Sequence, residues 1–118
     1  MSEEYKYSLE MIYEHLMVCE KRFSEIKNAK DFIATDYGGI LLDSIVVRLQ
    51  AMAEIIKRIL KHDVNLNEKY PSIDWDKIIL FRDFISHHYE KLNYVVIFDI
   101  CKNDLPKLKE VIEAELKY

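Results

Sequence analysis

Residues 5–26 read YKYSLEMIYEHLMVCEKRFSEI. Apolar side chains recur there at Tyr5, Leu9, Ile12, Leu16, Cys19, Phe23 and Ile26, in steps of four and three, the period that stripes one side of an α-helix. Lys6, Glu10, Glu14, Glu20, Lys21, Arg22 and Glu25 stand between them, so the remaining faces are largely solvated. The run predicts a long first helix.

The same period continues outward. Residues 28–39 interrupt it, with one short helical turn expected around Phe32, and the pair Gly38-Gly39 is read as a point where the chain takes backbone angles other residues avoid. A second long helix is expected beyond it, striped by Leu42, Ile45, Leu49, Met52, Ile56 and Ile59 and fading at Lys61-His62, where cations suit a C-terminus. Residues 64–71, from Val64 to Pro71 with Asn65 and Asn67, read as a loop, and Ser72 as the cap of a third helix. Ile73, Trp75, Ile78, Ile79, Phe81, Phe84 and Ile85 are its expected buried side, and the pattern stops near His87-His88. A fourth helix should start near Asn93 and run through Tyr94, Ile97, Cys101, Leu105, Leu108, Ile112 and Leu116. Pro106 removes an amide donor there, so a kink or a restart capped by Asn103 or Asp104 is expected.

Two long stripes of one period favour antiparallel packing. With only two glycines and two prolines, a many-stranded sheet with its tight turns is disfavoured. The expectation is an all-α, up-and-down four-helix bundle with a short extra helical turn, residues 1–118 forming a single domain of ordinary size. Hydrophobic residues make up 50% and charged ones 32%, a balance that suits a folded chain and not a disordered tail. Cys19 and Cys101 lie far apart without metal-ligand spacing and read as thiols in a reducing cytosol. The start Met-Ser-Glu-Glu-Tyr-Lys lacks the basic and apolar regions of a signal peptide, and no apolar stretch reaches membrane-spanning length, so a cytoplasmic protein away from membranes is expected. A net charge of −4 argues against a broad basic face for long nucleic acid but leaves room for a small site acting on RNA.

Residues 82–89, Arg-Asp-Phe-Ile-Ser-His-His-Tyr, gather a guanidinium, a carboxylate, two imidazoles and a phenol at the end of an aromatic-rich helix. Asp83 and His87 are four apart, close enough on a helix for the carboxylate to orient the ring and favour its charged form. Arg82 and His87 are five apart, about 140° around an ideal helix, and so do not share a face. Either local unwinding after Ser86 or a second copy of the segment is needed to unite them.

Arg82, four residues, His87, one residue and Tyr89 spell an Arg-x4-His-x-Tyr motif, and the chain resembles the HEPN superfamily and within it the HepT toxin family. The resemblance extends to Met52-Ala53-Glu54, to Tyr70-Pro71 with Ile73-Asp74-Trp75, and to Phe98-Asp99-Ile100 with Asn103-Asp104-Leu105-Pro106. It implies a dimerising four-helix bundle that acts as a ribonuclease toxin without metal or other cofactor. It also implies, as partner, a minimal nucleotidyltransferase antitoxin that silences the toxin by transferring AMP to the motif tyrosine, the arrangement of a type VII toxin–antitoxin system. On that footing Arg82 and His87 are catalytic, Tyr89 is the AMP acceptor, and RNA, either tRNA or mRNA, is the substrate. Asp83 fits a supporting position, His88 is a bystander or helper, and Glu54 matches an acidic position that either faces Arg82 or is simply solvated. The chemistry suits these groups: metal-free RNA cleavage needs a proton acceptor for the ribose 2′-hydroxyl and a cation for the phosphorane. Two histidines from two chains could divide the base and acid roles. The alternative is a non-enzymatic substrate-binding partner subunit of a small nucleotidyltransferase, with Tyr89 as an interface residue.

Considered singly, these residues have plainer readings. Arg82 and Asp83 would be surface ion-pair residues, and His15 and His62 occupy a helix flank and a helix end with no partner at metal-ligand spacing. Tyr70, Trp75, Phe81 and Phe84 suit a core or dimer interface better than a base-stacking platform, and Tyr5, Tyr7 and Tyr13 read as packing residues.

Overall fold

The Ser2 hydroxyl accepts a hydrogen bond from the Tyr5 amide at 3.1 Å, Glu3 and Glu4 stand in the first turn, and Lys21 and Arg22 in the last. Cap and charges together satisfy the termini of helix α1, Glu3–Phe23. The computed structural model describes residues 1–62, 65–88 and 93–118, the side chains of 84–88 excepted. Leu9, Ile12, Leu16 and Cys19 are buried along α1, as the stripe requires, while Ile26 is buried just past its end. Tyr7, read as a packing residue, is instead 65% exposed, because it lies off that stripe.

The turn at Phe32 is helix α2, Asp31–Ala34, and Phe32 is almost wholly buried. Its start is fastened by the Asp31 carboxylate, which accepts from the amides of Lys27 and Asn28 at 2.8 and 3.2 Å. Thr35 then caps helix α3, Asp36–Lys61, its hydroxyl accepting from the Gly38 amide at 2.9 Å. Gly38 and Gly39 therefore lie inside the first turn of α3, neither has a positive φ, and the unusual backbone angles expected of the pair are not there. The physical need at Gly38 is space: a Cβ would sit 2.0 Å from the carbonyl oxygen of Asp31. Leu41 takes the buried position expected of Leu42, and the stripe then holds through Ile45, Leu49, Met52, Ile56 and Ile59.

Helices α1 and α3 run antiparallel, since Cys19 reaches the Ile45 carbonyl while His15 reaches Arg48. The Arg48 guanidinium lies 3.1 Å from His15 Nδ1, which must then be the accepting nitrogen of a neutral ring. Burial, and then the Arg48 charge, push the His15 pKa below its usual value. The unfolded chain consequently binds the extra proton more readily. Stability from this ring is fully present above about pH 6.5, the unfolded value, and is lost as pH falls from there through the lower folded value. His15→Gln is expected to flatten the pH dependence of the urea midpoint between about pH 7 and 5. An unchanged slope would remove this ring from the account.

The stretch expected to be a loop contains helix α4, Leu66–Lys69, anchored by the buried side chain of Leu66; Val64 lies outside the described residues. Asp74, not Ser72, caps helix α5, Trp75–His88, its carboxylate accepting from the Lys77 amide at 3.0 Å. The cap shifts because the indole of Trp75 folds back to donate to the Tyr70 carbonyl at 2.9 Å, so residues 71–73 form a turn. Ile73 and Trp75 are buried, Ile78, Ile79 and Phe81 only half so, and Phe84 and Ile85 lie outside the described side chains.

Asn93 caps helix α6, Tyr94–Asp99, through its side-chain oxygen and the Val95 amide at 2.8 Å. Between α6 and helix α7, Leu105–Leu116, residues Ile100–Asp104 form a π-turn. Pro106 cannot donate to the carbonyl four residues back, and the chain answers by widening: the Leu105 amide donates to Ile100, five residues back. Asp104 stands at the N-cap position of α7, one of the two residues expected there, but its side chain makes no capping bond, and Asn103 instead donates to Asp99 at 2.6 Å. The described residues thus form a wholly helical bundle without strands.

At the far end of α7 one carboxylate joins three parts of the fold. Glu115 accepts from Tyr5 at 2.7 Å, from Tyr70 at 2.8 Å and from Lys69 at 2.6 Å, and its side chain is only 10% exposed. Burial alone would push its pKa up, but the bonds from Lys69, Tyr5 and Tyr70 outweigh it and the pKa falls below the usual carboxylate value. This stability is present above that value and is lost in acid. Glu115→Ala is expected to cost about 2 kcal/mol in urea unfolding at neutral pH, with a smaller difference near pH 3. Equal stability of variant and wild type at neutral pH would show the cluster contributes nothing.

Candidate functional site around Arg82

Helices α3 and α5 pack side by side, with the short Ala53 buried and Phe81 half-buried along the seam. One residue beyond each of these, Glu54 and Arg82 meet on the outer flank. Arg82 Nη1 donates to Asp83 Oδ1 at 3.0 Å and Nη2 to Glu54 Oε1 at 3.4 Å. Side-chain exposures are 30% for Arg82, 44% for Asp83 and 50% for Glu54, so solvent and solutes reach all three. The bond to Asp83, followed by the charge of Glu54, raises the Arg82 pKa and keeps the guanidinium protonated. Glu54 thus lies against Arg82 while half of its side chain stays in solvent.

Glu54 also continues an apolar stripe. Ile40, Val47 and Glu54 are seven residues apart on α3 and so share a face, and Ile40 and Val47 are 62% and 61% exposed. Leu80, two residues before Arg82, is 67% exposed. Two residues are about 200° of helix, so Leu80 is uncovered on the side of α5 away from Arg82.

The side chains of His87 and His88, and all of Tyr89, fall outside the described residues. The backbone of α5 stays helical through His88, so among the described residues no unwinding follows Ser86. Arg82 and His87 remain about 140° apart around one helix.

A second feature had no signal in the sequence. A cleft of about 200 Å³ opens between α5, α3 and the π-turn, lined by Met52, Ile78, Phe81, Ile100 and Leu108 among others. Lys77 crosses its mouth to Asp104 at 2.7 Å. Pro106, by forcing the π-turn, shapes one wall. Among the described residues no three His, Cys, Asp or Glu side chains are grouped to hold a metal ion. Cys19 and Cys101 are free and buried, and burial pushes both thiols up to about 12, which makes them poor nucleophiles and ligands at neutral pH. No helix among the described residues is long and apolar enough to cross a membrane.

Fold and site together define an all-helical domain with a solvent-reachable arginine held between two carboxylates. Residues 12–115 match the family described as Ribonuclease HepT-like. The chain belongs to this HEPN-related HepT-like ribonuclease family. It is 28% identical over 112 residues, 95% of its own length and 47% of the relative's, to a Methanocaldococcus jannaschii protein named gamma-glutamylcyclotransferase and putative RNase. A second protein of that organism, named a putative RNase, is 32% identical over 71 residues, covering 59% of this chain and 56% of the relative. A putative RNase of Caldanaerobacter subterraneus subsp. tengcongensis is 27% identical over 109 residues, covering 86% of this chain and 92% of the relative. The chain spans about half the length of the first two. No solved structure matches it.

Proposed function

We propose that this chain is a metal-independent endoribonuclease, the toxin of a HEPN and minimal-nucleotidyltransferase pair, acting in the cytoplasm as a homodimer on tRNA or mRNA. The observation that carries the reading is the Arg82 guanidinium, exposed on the flank of α5 inside a chain of a ribonuclease family. Arg82 binds the scissile phosphate and stabilises the extra charge of the phosphorane, as a planar bidentate donor does best. His87 exchanges the proton, Asp83 four residues earlier orients its ring, and His88 assists or stands by. Tyr89 is the AMP acceptor, and an anionic adduct there blocks the phosphate by bulk and charge.

Because the backbone of α5 is helical through His88, positions 82 and 87 of one copy lie about 140° apart around it. The reading therefore joins Arg82 of one copy with His87 of the other across a two-fold axis, and the exposed Ile40 and Val47, on the face of α3 that carries Glu54, are surface such a partner would cover. Mixed dimers test this. A heterodimer of Arg82→Ala with His87→Ala keeps one complete site if the two residues come from different copies, and is expected to recover about half the activity of wild type. A heterodimer as inactive as each variant alone would place the site within one chain.

A further inference from the structure

Cleavage through the 2′-hydroxyl needs a group that accepts a proton and a group that donates one in the same event, and one imidazole cannot do both at once. The site carries a carboxylate for which that reaction has had no use. Resting on the ribonuclease reading, we infer that Glu54 is the general base of the reaction, which leaves His87 as the acid.

The two carboxylates on Arg82 are not equivalent. Asp83 neighbours Arg82 on the same helix, binds it at 3.0 Å, and stands four residues before His87 in sequence. Glu54 arrives from α3, binds the other terminal nitrogen at the longer distance of 3.4 Å, and is half exposed. A phosphate approaching Nη2 takes the place of Glu54 on the guanidinium. The displaced carboxylate stays beside that nitrogen, against the substituents of the incoming phosphate, where the neighbouring ribose 2′-oxygen lies. Arg82 thus exchanges one anion for another, and the carboxylate it releases is left beside the hydroxyl proton it is to accept.

The step balances. As the 2′-oxygen attacks phosphorus, its proton passes to Glu54, the O2′–P bond forms, and the P–O5′ bond breaks. The protonated imidazole of His87 gives its proton to the departing 5′-oxygen. The products are a 2′,3′-cyclic phosphate and a 5′-hydroxyl, with Glu54 neutral and His87 neutral, and proton exchange with water restores both.

Glu54→Gln keeps size and hydrogen-bonding reach while removing the proton acceptor. The full-length variant, acting on a short single-stranded RNA, is expected to cut at least about 100-fold more slowly than wild type. It is expected to bind the 2′-deoxy analogue of that RNA as tightly as wild type or more tightly, because one negative charge has left the site. Glu54→Asp should retain part of the rate. Cleavage by Glu54→Gln at the wild-type rate or faster would overturn the inference and make Glu54 a mere competitor for Arg82. A parallel loss of binding and rate would also overturn it, since a base acts on rate alone. If wild type cuts and Arg82→Ala does not while Glu54→Gln does, only this inference fails. If wild type leaves the RNA whole, the ribonuclease reading fails with it.

Discussion

Gly38→Ala is expected to destabilise the protein by about 2–3 kcal/mol, although alanine is the better helix former at a helical position. The added Cβ would lie 2.0 Å from the Asp31 carbonyl oxygen and 3.1 Å from its carbon, both backbone atoms that no rotamer change can move. Relief requires α2 to lift from the first turn of α3, which disturbs Phe32, a residue only 1% exposed. The neighbouring residue supplies the control. A Cβ at Gly39 meets nothing within 4 Å and φ there is not positive, so Gly39→Ala should stabilise by about 0.5–1 kcal/mol. Urea unfolding of the two variants should therefore give shifts of opposite sign. Equal shifts would mean that close approach is not what requires glycine at 38.

Arg82→Ala is expected to lower the rate of RNA cleavage by about 10²–10³-fold while leaving the fold intact, the amount lost when one preorganised donor to a developing oxyanion is removed. The side chain is 30% exposed and its partners are more exposed still, so the urea midpoint should stay close to that of wild type. Arg82→Lys should recover only part of the rate. One ammonium cannot replace the fork that addresses Asp83 with one nitrogen and Glu54 or a phosphate with the other. Comparable cleavage by wild type and Arg82→Ala, with equal stability, would remove the guanidinium from the chemistry.

Much of the architecture was readable because burial and period are coupled. Leu9, Ile12, Leu16 and Cys19 recur every three or four residues, and all four are buried. Asn93 was legible as the start of the last helical segment for a local reason, its side chain reaching an amide two residues on. What sequence did not disclose depends on neighbours. Gly38-Gly39 advertises torsional freedom, whereas the structure uses the missing Cβ of Gly38 to let the Asp31 carbonyl approach. Ser72 and Asp74 are both good caps, and the choice fell to Asp74 because Trp75 bonds back to Tyr70. Pro106 announced a lost donor but not that one wider turn would absorb it.

The same division runs through the site. Arg82 and Asp83 stand out by composition, yet the meeting of Glu54 with Arg82 joins residues on two helices, and no periodicity within either helix states which position lies opposite. Only the resemblance to a known family pointed there. The cleft beside Phe81 left no mark in the sequence, since its walls come from three separate segments whose apolar residues read as ordinary core.

The most direct test is to incubate the purified chain, shown by mass spectrometry to carry no adduct on Tyr89, with single-stranded RNA in the presence of a chelator. A matched strand with 2′-deoxyribose at the cleaved position runs alongside. The account predicts cleavage of the RNA to 2′,3′-cyclic phosphate ends, an intact deoxy-substituted strand, and cleavage at least about 100-fold slower by Arg82→Ala or His87→Ala. RNA left whole by the unmodified wild-type chain, or cut equally well by those two variants, would contradict it.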